Sequence, residues 1–473
     1  MALTGAATLA IRLRQVLLLP VLGRVLGPAA YGAWSQLAAA VALISSVAGA
    51  LGNAATRFIA DESERPRTGR VVAGTVLPSL LLAGLLALVL SAFSSPLARH
   101  FLGVPDGGSL VIVAAWAAVG MAGGGVAQAL FRGRSQFWAY NALTLFAEYG
   151  ELACVVAAVA LGYGLAGAVV ALLAARAASA LVGVAVAGRR LGFARPSAQD
   201  VGAYFAYSLP LMPEQVLLWV INVSDRYVMS HYWTNADVGE YSAAYSVGGV
   251  IGLVAIPVWV VIFPLVSRFW DEGRQDRART YLEQTLRYLL FLTIPLAAIL
   301  SALGGEVVRI FAGAGFEGAG AYVPWVATGL MLHRLQGIYT YVLMAAKRTR
   351  AVMWVHGGAA VLNVAANVVL MPRFGPVTAA YVTFATYAAA AVGMWALARR
   401  VLPTSVSPAF VAKSVGASAA IAAGLALLAP SGAAATAGAA LAACAAYVGL
   451  MIALRGVTAA ELASLARLFR RQG

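Results

Sequence analysis

The sequence predicts an all-α polytopic membrane protein of about fourteen transmembrane helices. Three observations carry that prediction. Apolar runs of about 20 residues, the length needed to cross the hydrocarbon of a bilayer, recur fourteen times along the chain. The loops between them are short, and every second loop is basic. Hydrophobic residues make up 62% of the chain and charged residues 11%, a balance that excludes a water-soluble fold.

Taken in order, the runs lie near 4–26, 31–58, 71–93, 108–131, 137–161, 164–187 and 203–223. They continue near 239–265, 281–302, 321–345, 351–371, 376–398, 410–429 and 434–454. With the N-terminus inside, the inner loops hold Arg57, Arg65, Arg67, Arg70, Arg132, Arg134, Arg189, Arg190 and Arg195. Further along they hold Arg268, Arg274, Arg277, Arg279, Lys347, Arg348, Arg350, Arg399, Arg400, Lys413, Arg455, Arg467, Arg470 and Arg471. The outer side holds Arg24, Arg99, Arg226, Arg309 and Arg373. This split of 23 to 5 follows the positive-inside rule and predicts that both termini are cytoplasmic.

The longest outer loop, 303–320, is too small for an extracytoplasmic catalytic domain, and the inner loops 188–202 and 266–280 are also short. No GxxxxGK[ST] occurs, so no nucleotide-binding domain is expected in this chain. The net charge of +15 sits mostly in inner loops, where it sets topology and meets anionic lipid rather than nucleic acid. Cys154 and Cys444 both fall inside apolar spans, so neither a disulfide framework, a metal site nor a cofactor is expected. The opening MALTGAATLAIRLRQ lacks a basic n-region followed by a small-residue cleavage site and reads as a retained first span. The 49 glycines suit close packing of transmembrane helices through small side chains.

An internal repeat sets the domain plan. GPAAYGAW (Gly27–Trp34) follows span 1 and TNADVGEY (Thr234–Tyr241) follows span 7, each carrying Gly-x-aromatic and leading into a long apolar run. An even number of intervening spans gives both halves one orientation, as in parallel-repeat transporters. One six-helix lobe is therefore expected over 1–187 and a second over 203–398, joined by a cytoplasmic linker at 188–202. Two additional helices occupy 399–455. The tail 456–473 pairs Thr458 with Glu461 as a capping box, sets Leu462, Leu465, Leu468 and Phe469 on one face, and reads as an interfacial amphipathic helix.

Ionisable side chains in the bilayer core cost about 2.5–3.5 kcal/mol each on insertion scales, so they mark bundle interiors or cavities. Glu148 and Glu151 share one face of span 5, and Arg176 lies at the same depth in span 6. They fit either an ion pair that locks the two helices or a substrate and coupling site. Glu214 is placed mid-span in span 7, ahead of a polar end with Asn222, Asp225 and Arg226. Asp225–Arg226 reads as a local pair. Arg12 and Arg14 lie about 200° apart around span 1, so both cannot line one cavity; Arg14 is expected to snorkel to the inner headgroups. Arg334, beside His333 in span 10, has no carboxylate in its own helix and is assigned to a central cavity with Arg12. Asn363 and Asn367, one turn apart in span 11, fit interhelical bonding or polar lining equally. Midplane arginines suit an anionic substrate, because the guanidinium fork matches phosphate oxygens.

At this point the chain resembles a known family. Arg24–Trp34, with Gly27, Pro28, Tyr31 and Gly32, is similar to the R-x-L-G-P-x-x-Y/F-G signature of polysaccharide transporters. These are the Wzx-type flippases of the multidrug/oligosaccharidyl-lipid/polysaccharide (MOP) superfamily. Val223–Tyr245, with Asp225, Arg226, Gly239 and Tyr241, resembles the corresponding segment of the family's second half, and Leu362–Thr383 resembles its Asn-rich segment. Val377-Thr378 departs from the family where a Gly often precedes the Ala pair. The resemblance implies movement of an undecaprenyl-pyrophosphate-linked oligosaccharide across a bacterial cytoplasmic membrane by alternating access, for O-antigen, capsule or exopolysaccharide synthesis. Implied partners are membrane lipids, a polysaccharide polymerase and a chain-length regulator. A lipid II flippase of the same superfamily is the nearest alternative, a multidrug antiporter a further one. A polymerase- or ligase-type membrane enzyme is the alternative from another class; it would call for a large outer loop that this chain lacks.

Overall fold

The computed structural model describes residues 2–457 apart from 61, 63 and 105, and the side chains of that range except 2–13, 15–16, 65, 254 and 256–264. Among the described residues all regular secondary structure is helical and there is no strand. The helices are α1 (Ala2–Gly49), α2 (Leu51–Ala60), α3 (Arg65–Ala92), α4 (Ser94–Phe101), α5 (Gly108–Gly133) and α6 (Phe137–Ala160). They continue with α7 (Gly164–Leu191), α8 (Ala198–Ser208), α9 (Met212–Tyr232), α10 (Asn235–Gly248), α11 (Val250–Asp271) and α12 (Gln275–Ala312). Last come α13 (Ala319–Ala345), α14 (Thr349–Phe374), α15 (Thr378–Ala398), α16 (Pro408–Leu428) and α17 (Ala433–Ala453).

The fourteen expected spans correspond in order to the two halves of α1, the second with α2, then α3, α5, α6, α7, α9, α10 with α11, and α12 to α17. Ten helical segments among the described residues are long and apolar enough by themselves to cross a membrane. The charge-bearing α9 and α13 are not among them.

Two local features revise the expected boundaries. The loop expected at 27–30 is a kink. Gly27 has φ 74° and ψ 174°, a conformation open to glycine, and Pro28 restarts the helix where its missing N–H costs nothing. The span expected at 203–223 is divided by Pro210 and Pro213, which remove backbone donors and end one helix before another begins. Its first part belongs to α8, capped by reciprocal Ser197–Asp200 hydrogen bonds of 3.0 and 3.1 Å. The second is α9, so Glu214 falls in a first helical turn instead of mid-span.

The chain divides into two compact units, residues 6–239 and residues 240–473 with 1–5. In the first, α5 and α7 press backbone to backbone. A Cβ at Gly120 would lie 2.6 Å from the Arg176 carbonyl, and Gly124 faces Ser179 and Ala180. The remaining core joins Leu51, Ile59, Val72, Val126, Phe131, Leu143 and Tyr204. The segment expected as a linker is seated on α3, with the Ala194 N–H donating to the Gly69 carbonyl at 3.1 Å.

In the second unit, Leu282, Leu289, Ile338, Leu343 and Met394 form one cluster across α12, α13 and α15. Phe291, Leu303, Phe410 and Tyr447 tie α16 and α17 to α12. At 38 residues, α12 runs about 57 Å, well beyond the roughly 30 Å of hydrocarbon. The same turn closes α5 and α13: Gln136 N–H donates to Phe131 O at 2.9 Å, and Arg348 N–H to Leu343 O at 2.8 Å. Ser135 and Lys347 take the left-handed position, at φ 56° and 59°. The interfacial helix expected at 456–473 falls almost entirely outside the described residues, which end at 457.

Candidate functional site: a closed arginine–glutamate ring

Four charged side chains from α1, α6 and α7 close into one ring inside the first unit. Arg14 Nε lies 2.9 Å from Glu148 Oε2, and its terminal nitrogen pairs with Glu151. Arg176 Nη1 lies 3.1 Å from Glu148 Oε1, and its other fork nitrogen pairs with Glu151. Each arginine touches both carboxylates, and each carboxylate touches both arginines. Side-chain exposures run from 5% for Glu151 to 15% for Glu148, so the ring is secluded and opens slightly at the Arg14–Glu148 edge.

Local sequence explains each placement. Glu148 and Glu151 are one turn apart on α6 and present both carboxylates in one direction. Arg176 is carried to the same depth because Gly120 lets α5 approach its backbone. Arg14 corrects the expectation of a snorkelling side chain. Two secluded carboxylates within reach satisfy its guanidinium better than a more distant headgroup, and its charge balances theirs. The side chain of Arg12 lies outside the described residues.

Two carboxylates and two guanidinium groups sum to zero formal charge. Such a ring can stay buried as it stands. It can also trade one carboxylate for another oxyanion, since the arginine fork accepts phosphate oxygens as readily as carboxylate.

The other candidates lie elsewhere. In the first unit Asp225 is fully buried and accepts the Arg226 backbone N–H at 2.8 Å. The Asn222 amide donates to Leu218 O at 2.6 Å. In the second unit Arg334 rests against α11, where a Cβ at Gly252 would stand 3.2 Å from its guanidinium. His333 packs on the Tyr387 ring at 4.7 Å between centroids. Asn363 and Asn367 are fully buried; Asn363 donates to Thr386 Oγ1 at 3.3 Å and Asn367 to Asn363 O at 2.9 Å. They bond helix to helix and turn to turn.

The motif residues have steric reasons. A Cβ at Gly32 would collide with the Asn235 carbonyl and stand 2.9 Å from Gly239 N, while one at Gly239 would collide with the Pro28 carbonyl. The two repeat motifs therefore lie backbone against backbone, and only glycine permits it. Arg24 is exposed and Tyr31 buried. Tyr241 is fully buried and shares a 2.9 Å hydrogen bond with Thr383. Sequence reasoning missed Gln36, a fully buried amide beside this junction. It donates to Asn235 Oδ1 at 3.1 Å, and its carbonyl accepts the Tyr227 hydroxyl at 2.7 Å. A lone glutamine inside an apolar run was the available signal.

Comparison with known proteins places these features in a family. The model described as "Polysaccharide biosynthesis protein" matches residues 1–270, and the MatE model matches residues 210–369. The chain is 27% identical over 276 residues to the succinoglycan biosynthesis transport protein ExoT of Rhizobium meliloti, covering 57% of this chain and 54% of that one. It is 24% identical over 197 residues to the probable low-salt glycan biosynthesis flippase Agl15 of Haloferax volcanii, covering 41% of each. The matched stretches thus span about half or less of these relatives. In fold, the chain is similar to the lipid II flippase MurJ in an inward closed conformation, with a TM-score of 0.81 at 14% identity over 96% of this chain and 98% of that one.

Proposed function

Since this chain belongs to the polysaccharide biosynthesis protein family of the MOP superfamily, we propose that it is a flippase that carries a lipid-linked oligosaccharide across a membrane. The substrate in this reading is an oligosaccharide on undecaprenyl pyrophosphate. It moves from the inner to the outer leaflet of a bacterial cytoplasmic membrane by alternating access, with both chain termini cytoplasmic. The protein is a transporter and not an enzyme in this reading; a polymerase and a chain-length regulator act next on its product.

The observation that carries the proposal is the ring of Arg14, Glu148, Glu151 and Arg176. Two guanidinium forks are held ready in a secluded, neutral setting. A pyrophosphate offers oxygens that accept the same bidentate pair of hydrogen bonds and can displace the carboxylates from one or both forks. A displaced glutamate would then be left without its counter-charge, a cost that a cation taken up from solution would offset. Glu148 and Glu151 are thereby the coupling acids. Arg334, with Arg12 assigned from sequence, is a further candidate for the phosphate oxygens, and Glu214 a further acid.

The test compares membrane abundance with polysaccharide export in a strain that depends on this chain. Arg14→Lys and Arg176→Lys keep the charge and lose the fork, so export should fall at least roughly ten-fold, the value of a charge-assisted hydrogen bond. Lipid-linked intermediate should accumulate on the inner leaflet. Normal export by an abundant Lys variant at both positions would remove the ring from transport.

A further inference from the structure

A second charged feature lies in the first unit, at the start of α6, the helix that carries the ring's glutamates further along. Between the end of α5 and the start of α6 is a surface recess of about 670 Å³, lined by Ser135, Gln136, Phe137, Trp138, Ala139 and Arg190. That volume falls in the range of small-molecule sites, roughly 300–1,000 Å³. One wall includes Arg190 at the end of α7, and Trp138 and Phe137 in the lining are 72% and 47% exposed.

Its chemistry is one-sided. The lining has a cation, an amide, a hydroxyl and an indole N–H, and no carboxylate. Among the described residues Arg190 makes no ion pair. The neighbouring Arg134 donates to the Glu62 carbonyl just beyond α2 and Arg132 to Thr56 Oγ1 on α2, and they add positive field without lining the recess. A second recess, on α11 and α12, offers a contrast: Asp276 sits beside Arg277 in its lining, which offsets the cation.

We propose that the Ser135–Ala139 and Arg190 recess binds the phosphodiester headgroup of an anionic membrane phospholipid. Arg190 supplies the counter-charge, the Gln136 amide and Ser135 hydroxyl supply hydrogen bonds, and Trp138 and Phe137 lie against the glycerol and upper acyl region. Two arguments favour a lipid over a free anion. Large exposed aromatic side chains are costly in water and favoured at the headgroup level of a bilayer. The recess also stands at the end of three membrane-length helices, α5, α6 and α7, on the side where the basic loops meet anionic lipid.

The experiment uses the full chain in non-ionic detergent, titrated with dioleoyl phosphatidylglycerol and observed by native mass spectrometry. Dioleoyl phosphatidylcholine is the arm without net charge. Phosphatidylglycerol should be retained in preference, and Arg190→Gln should lower the bound fraction roughly five-fold, the effect of one interfacial cation. Trp138→Ala should lower it as well. The control is Arg399→Gln, whose cation stacks over Trp395 at 4.8 Å in the second unit and should leave binding unchanged. Equal retention of the two lipids, unchanged binding by Arg190→Gln, or an equal loss in the control would overturn the proposal. Displacement by excess inorganic phosphate would make a free anion the occupant and overturn the lipid assignment. Because Arg190 and Trp138 are exposed, an unchanged elution profile separates loss of a site from loss of the fold. The transport reading can fail without affecting this result.

Discussion

Two helical hairpins of this molecule solve one packing problem with different chemistry. In the first unit, α6 and α7 are joined by a three-residue loop and held by Glu148 and Glu151 against Arg176, with Arg14 completing the ring. In the second, α14 and α15 are also joined by a three-residue loop and are held by Asn363 against Thr386, with Asn367 bonded back to Asn363. The neutral version bonds the helices without formal charge. The charged version adds full charges that must stay balanced. The helix contact in the first hairpin therefore depends on charge balance, and that in the second does not.

Breaking the charged ring should have the largest effect. Arg176→Ala leaves two carboxylates with a single guanidinium and should cost about 3–5 kcal/mol of stability. It is read as lost membrane abundance or a lowered thermal midpoint of the solubilised protein. Adding Glu148→Gln and Glu151→Gln should restore part of that loss. A stable but inactive Arg176→Ala protein would instead place this arginine on the substrate alone.

A graft sharpens the comparison further. Glu151→Asn with Arg176→Thr gives the first hairpin the neutral pair of the second, with Glu148 still facing Arg14. Abundance should stay closer to wild type than in Arg176→Ala, while export should fall at least roughly ten-fold because a fork is gone. Retained export would show that charge in this hairpin serves packing only.

The matching change in the neutral hairpin is smaller. Asn363→Ala removes a buried hydrogen bond and leaves Thr386 and Asn367 to find other partners, at a cost of about 1–3 kcal/mol. Export per folded molecule should be unchanged. A specific transport defect at normal abundance would move Asn363 from packing to substrate contact.

The smallest expected effect is at α8, outside the spans. The Ser197 backbone N–H, and then its side chain, hold the Asp200 carboxyl below its ordinary value. A depressed folded value means that this capping contribution is complete above the unfolded value, about pH 3.9, and fades as pH falls through the folded one. Cleavage by an acid protease within residues 192–198 should therefore rise at the acid end in wild type. In Asp200→Asn that pH dependence should flatten, and an unchanged pH profile would remove the carboxylate from the cap.

Much of the architecture was legible before any coordinates. Hydropathy sums over consecutive residues, so the all-helical fold and the order of the spans follow from local composition. Gly32, Gly239, Gly27 and Pro28 were visible as motif letters, and Glu148, Glu151 and Arg176 as charges at matched depth. The boundary between α8 and α9 was misplaced because hydropathy runs smoothly through Pro210 and Pro213, where backbone donors are lost. With it, Glu214 falls in the first turn of α9 and Asp225 in its interior.

The sequence by itself determined which segments can live in a bilayer and which side chains are costly there, because both depend on what a residue is and on its near neighbours. Only the tertiary structure decided which charges meet. Arg14 stands 134 residues from Glu148 in the chain and 162 from Arg176, and its choice between headgroup and carboxylate depends on where α1 packs. Gln36 meets Asn235 for the same reason. Pairing energies act over a few ångströms in space, and helix packing sets that distance where sequence separation does not.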